Sequence, residues 1–126
     1  MKIRLKAKIH PSEDEETIKE TVKALFPKLD IGIQDEELVG ISKDFQALEK
    51  FKNKIGLQGI TASARRELKK SRRDNQLDFF LNRQAATVHK VSFSGKETPL
   101  GPIKVHIEAE DIEDVIEYLT GKKKES

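Results

Sequence analysis

The chain opens on a strict alternation. Ile3, Leu5, Ala7 and Ile9 share one parity, while Lys2, Arg4, Lys6 and Lys8 share the other. This predicts a half-buried strand over 2–9 whose wet face carries four positive charges. The period then becomes helical. Pro11-Ser12 opens a helix, with Ser12 as N-cap, Glu15 completing a capping box, and Ile18, Val22, Leu25 and Phe26 as its apolar stripe before Pro27. The acids Glu13 to Glu16 suit the positive end of that helix better than a metal. Ile31–Ile33 fits a short strand and Glu37–Ser42 a longer one. A second helix is expected over about 44–55, with Phe45, Leu48, Phe51 and Ile55 inward and Gly56 as its stop.

A third helix is predicted over about 60–73, burying Ile60, Ala64, Leu68 and Ser71. Asp74-Asn75 has turn chemistry. Leu77–Leu81 is a short apolar strand, and Asn82–Ala86 starts a short helix or turn. Val88–Phe93 and Ile103–Glu108 look like two further strands, joined by a Gly/Pro-bearing loop over 94–102. The last helix spans about 111–120, with Ile112, Val115, Ile116 and Leu119 inward. Residues 122–126 form a polar, disordered tail. The expectation is one α+β domain over 1–121, in two layers: a mainly antiparallel sheet with helices on one face.

Composition sharpens this. In 126 residues, 37% are charged and 36% hydrophobic, which favours a thin fold with much exposed surface. Without Cys there is no disulfide, thiolate metal site or thiol nucleophile. No apolar run approaches twenty residues, so a cytoplasmic protein that engages no membrane is expected. Abundant Lys and Glu with a single Met resemble a heat-adapted proteome.

Charge is concentrated. Residues 65–73 read Arg-Arg-Glu-Leu-Lys-Lys-Ser-Arg-Arg. Between Ile60 and Lys90 eight Lys/Arg face three Asp/Glu, leaving sixteen against nineteen elsewhere. On a helix, Arg65, Lys69 and Arg72 fall on one flank and Arg66, Lys70 and Arg73 on the next. Such a patch is the footprint of a phosphate-backbone binder, and its alternative is a solvated helix face. Phe80, Asn82-Arg83-Gln84, His89 and Lys90 add groups able to meet phosphates, 2′-hydroxyls and base edges. The expected RNA-binding residues are therefore Arg65, Arg66, Lys69, Lys70, Arg72, Arg73, Arg83 and Lys90.

Enzymatic chemistry finds little support. His10, His89 and His106 are far apart, with no metal-ligand spacing, and no Gly-x-Ser-x-Gly elbow occurs. Gly95-Lys96-Glu97-Thr98 lacks the upstream glycine and the Ser/Thr of a phosphate loop. Gly56-Leu57-Gln58-Gly59 lies between two helices, like the Gly-x-x-Gly loop of a KH domain, or is a plain helix–helix corner. No catalytic residue, metal or cofactor is expected.

Leu81-Asn82-Arg83-Gln84-Ala85-Ala86, Val91-Ser92-Phe93 and Pro99-Leu100-Gly101-Pro102-Ile103-Lys104-Val105 together resemble an uncharacterised archaeal family of RNA-binding proteins, some described as exosome-associated. The resemblance covers nearly the whole chain. It implies a fold like the large-subunit ribosomal protein that binds 5S ribosomal RNA, a homodimer, and a place in an RNA-processing complex. It also implies Pro and an aromatic around the end of the last helix; here Tyr118-Leu119-Thr120-Gly121 runs straight into Lys122.

The expected function is binding of structured or double-stranded RNA through its phosphate backbone. A protein-interaction module is the rival. The dimer is expected through an unguarded sheet edge, either the Ile103–Val105–Ile107 strand or the Val88–Phe93 strand.

Overall fold

The computed structural model describes residues 1–98 and 100–121. The expected tail at 122–126 lies outside them. In chain order the elements are β1 (Lys2–Lys8), α1 (Glu15–Leu25), β2 (Asp30–Gln34), β3 (Glu37–Ser42), a 3-10 turn (Phe45–Leu48), α2 (Glu49–Leu57), α3 (Thr61–Ser71), β4 (Arg72–Arg73), β5 (Gln76–Leu81), α4 (Arg83–Thr87), β6 (Phe93–Ser94), β7 (Ile103–Glu108) and α5 (Ile112–Leu119). The strands form one antiparallel sheet in the order β2-β3-β1-β7-β5-β4, with β6 also on β5. The expected α+β architecture is what the chain adopts.

Alternation in the strands sorts the two faces. Ile3, Leu5 and Ala7 of β1, Ile103, Val105 and Ile107 of β7, and Leu77, Phe79 and Leu81 of β5 are buried together. Beneath them lie Ile18, Val22 and Leu25 of α1, Phe51 and Ile55 of α2, Ala64 and Leu68 of α3, and Val115, Ile116 and Leu119 of α5. Stacked rings of Phe26, Phe51 and Phe79, with centroids 5.0 and 5.9 Å apart, run through the middle of this core. Gly40 of β3 makes room for Leu29, since a Cβ there would stand 3.0 Å from Leu29 Cδ1 and would push that side chain aside. Among the described residues, no helix lies over the opposite face of the sheet.

Several expectations shift. Asp14, not Ser12, caps α1, its carboxylate accepting from Glu16 N–H. The chain at 10–13 is a turn, in which Glu13 N–H donates to the His10 carbonyl and His10 N–H to the Glu13 carboxylate. Gly56 stays helical, and Gly59, at φ 68°, ends α2. Phe45 belongs to the 3-10 turn, where it is more than a third exposed and packs on Tyr118 with centroids 4.4 Å apart.

Arg72 and Arg73 leave the third helix altogether. The two-residue turn at Asp74-Asn75, with Asp74 at φ 54°, pairs them with Leu77 and Gln76 as a short hairpin. The Val88–Phe93 strand does not form. The N–H groups of Val88, His89 and Lys90 turn back to the carbonyls of Ala85 and Ala86, and only Phe93–Ser94 pairs with β5. β7 lies between β1 and β5 and so is no edge.

A candidate nucleic-acid interface

The expected basic helix is partly spoken for. Ala64 and Leu68 hold α3 in the core, and this turns Arg65 toward α5. Its guanidinium donates to Glu117 at 2.6 Å and to Thr120 Oγ1 at 3.1 Å. Arg72 pairs with Glu113 and donates from Nε to the Asp74 carbonyl at 3.1 Å. Lys70 lies 3.7 Å from Glu67. Arg66, Lys69, Arg73 and Lys90 are exposed and form no ion pair among the described residues.

Arg83 does not extend this patch. It is only 3% exposed, and its guanidinium donates to the carbonyls of Lys8 and, at 2.9 Å, Leu100, with Glu13 at 3.4 Å. Burial lowers its pKa and the Glu13 charge opposes that shift. The side chain fastens the end of β1, the approach to α1 and the loop before β7 to one another. Its neighbour Asn82 caps α4, accepting from Ala85 N–H at 2.8 Å. The Gly-x-x-Gly corner is likewise structural. Gln58 donates to the Val91 carbonyl at 2.9 Å and accepts from Val91 N–H at 2.7 Å, so its amide is not free for a phosphate.

A second basic surface is built by the sheet itself. On the uncovered face, strand register places Arg4 between Ile41 of β3 and His106 of β7, with Asp78 of β5 beyond. The next row reads Val39, Lys6, Lys104, Phe80 and Ser94 across β3, β1, β7, β5 and β6. Lys2 stands opposite Glu108, and Lys8 opposite Glu37. Lys2, Arg4, Lys6, Lys8 and Lys104 are all exposed and make no salt bridge among the described residues. Neighbouring strands lie about 5 Å apart, so these cations form one continuous strip.

Of the acids on this face, Asp78 and Glu108 are engaged by an imidazole, while Glu37 stands opposite Lys8. His106 sits between Asp78, 2.7 Å from Nδ1, and Glu108, 2.8 Å from Nε2. Burial disfavours the imidazolium, but the hydrogen bonds it donates to Glu108 and Asp78, with their charges, outweigh this and raise the pKa. Glu108 is shifted down, chiefly by the His106 hydrogen bond and further by Lys2 and Arg4. The alternation of β1 announced four of these cations in sequence. Lys104 and His106 join them only through strand order, which no local pattern reveals.

Residues 2–109 match the family model described as RNA binding. The chain is 39% identical to the UPF0201 protein of Sulfurisphaera tokodaii over 127 residues, covering 96% of this chain and 88% of that one. Among solved structures, the UPF0201 protein of Methanococcus jannaschii is 32% identical with a TM-score of 0.85, covering 98% of this chain and 96% of that one. Another uncharacterised UPF0201 protein is 29% identical with a TM-score of 0.87, covering 100% and 98%. No described helix is long and apolar enough to cross a membrane. The fold is thus held in common with these solved structures, and the chain belongs to the family whose model is described as RNA binding and, by its relatives, to the UPF0201 proteins.

Proposed function

We propose that this protein binds structured or double-stranded RNA through the phosphate backbone, with the uncovered sheet face as its main surface. The observation that carries this is the strip of Lys2, Arg4, Lys6, Lys8 and Lys104, none held by a carboxylate salt bridge among the described residues. Unpaired cations on a rigid sheet are pre-placed for phosphates and lose little order on binding. Arg66, Lys69 and Arg73 supply a lesser contribution from the helical layer. Filter binding with duplex, hairpin and single-stranded RNA across a salt series tests the reading. Affinity falls linearly with salt on logarithmic axes if phosphates are engaged, by roughly 0.7–0.9 per contact. Binding that ignores salt, or no binding at low salt, refutes it.

A protein partner is favoured by a separate observation. β2 ends the sheet, its outer edge is unpaired among the described residues, and Ile31 and Ile33 on its inner side are only half-buried. An open edge of this kind is a template for strand pairing, and a second copy of the chain, paired β2 to β2, covers it while leaving both basic faces exposed.

A further inference from the structure

We propose that a cavity on the open sheet face holds one unpaired nucleotide, its base stacked on Phe80 and its phosphate held by Lys6, Lys96 and Lys104. This rests on the RNA-binding reading and assigns to it a subsite selective for a base outside a duplex.

Phe45 and Phe80 are the aromatic residues that the core does not use, and Phe45 is packed on Tyr118. Leu77, Phe79 and Leu81 are buried on the inner side of β5, whereas Phe80 has the opposite parity and is half-buried on the outer face. It is absent from the hydrophobic core and from the apolar residues packed against that core. Its ring meets no other aromatic ring among the described residues. Across the strands its same-face neighbours are the polar Lys104 and Ser94.

Beside it opens a cavity of about 440 Å³ that is also lined by Arg4, Lys6, Lys96, Lys104 and His106. The volume lies within the range of small-ligand sites. An aromatic ring ringed by cations is what a nucleotide requires: every base has a face that stacks, and every phosphate a charge to neutralise. A paired base has both faces occupied by its stacked neighbours, so only an unpaired one can lie on Phe80. Asp78 also lines the cavity, where a free carboxylate would repel a phosphate. Its hydrogen bond to His106 draws that charge toward the imidazole instead.

The test compares two RNA hairpins that differ by one bulged 2-aminopurine. The wild type binds the bulged hairpin more tightly and quenches the fluorescence of the unpaired base. Phe80→Ala lowers affinity for the bulged hairpin about 5- to 100-fold, abolishes the quenching and leaves the paired hairpin within about twofold. Phe80→Trp retains both the preference and the quenching, and circular dichroism shows each variant folded. Equal affinity of the wild type for both hairpins, or equal loss of both in a folded Phe80→Ala, overturns the subsite while the RNA-binding reading stands. Failure of the wild type to bind either hairpin at low salt removes both.

Discussion

The sheet face and the basic helix make different demands on a salt titration. Lys2, Arg4, Lys6, Lys8 and Lys104 lie on one surface without salt-bridge partners among the described residues. If each meets one phosphate, the slope of log affinity against log salt is about −3.5 to −4.5, at roughly 0.7–0.9 per contact. Raising salt from about 50 to about 200 mM then weakens binding on the order of 100- to 500-fold. Lys6→Ala with Lys104→Ala removes adjacent members of one row and should flatten the slope by about 1.4 to 1.8. Both side chains are exposed and outside the core, so stability should change by less than about 0.5 kcal/mol. Arg66→Ala with Lys69→Ala should flatten it less, because those residues contribute only at the margin. The measurement is filter binding of a hairpin RNA by all three proteins over that salt range. An unchanged slope in the sheet double variant, with a large loss in the helix one, would refute the assignment of the main surface to the sheet.

Arg83→Ala should destabilise the fold by roughly 3–5 kcal/mol, since it strands a partly buried Glu13 and two carbonyls; urea unfolding reads this as a lower midpoint at constant m. Arg83→Lys should rescue little, because an ammonium cannot reproduce the fork that reaches Lys8, Leu100 and Glu13. His106 is raised above 6.5, so its contribution to stability is fully present below about pH 6.5 and is lost as pH rises through the folded value; Glu108 is lowered from 4.5, so its contribution is lost only as pH falls below that region. His106→Gln should therefore flatten the decline in unfolding midpoint above pH 6.5, and a variant that keeps it shows that another group titrates there. Gly32→Lys tests the edge pairing: a Cβ at Gly32 meets nothing within 4 Å, so the monomer tolerates it, while like charges at the centre of a two-fold β2 pair repel. Light scattering should give twice 14.3 kDa for the wild type and a monomer for the variant, and a wild-type monomer at micromolar concentration removes the dimer.

The elements whose signal is local were legible in the sequence. Period two in β1 and β7, and period 3.6 in α1 and α5, correctly located both element and face, since burial of one stripe is what each pattern records. The failures have identifiable competitors. Arg72 and Arg73 continue the helical charge pattern, but an Asp-Asn turn a residue later closes a hairpin that takes them. Val88 to Phe93 has β-rich composition, yet α4 ends there with His89 at φ 63°, and the Gln58 amide takes the place of a strand partner for Val91. That amide comes from 33 residues away, beyond the reach of any local pattern.

The candidate site divides along the same line. A run of cations in sequence is conspicuous because it is contiguous, but contiguity says nothing about what faces it. α5 brings Glu113 and Glu117 to Arg72 and Arg65, and the interior takes Arg83. The sheet strip has the reverse character. Each strand contributes modest charge, and the strip exists because β1 and β7, nearly the whole chain apart, are neighbours. The two surfaces belong to opposite layers and meet at the outer edge of β5, where Lys70 of α3 lines one cavity with Asp78 and Phe80. β4 and β6 pair with the two ends of β5 and, among the described residues, leave Asp78 and Phe79 between them without an outer strand. That gap lets the helix's cations approach the rim of the sheet face. An RNA lying along the strip therefore meets α3 only at this rim, which is why the helix, the loudest feature of the sequence, ranks second in the proposed interface.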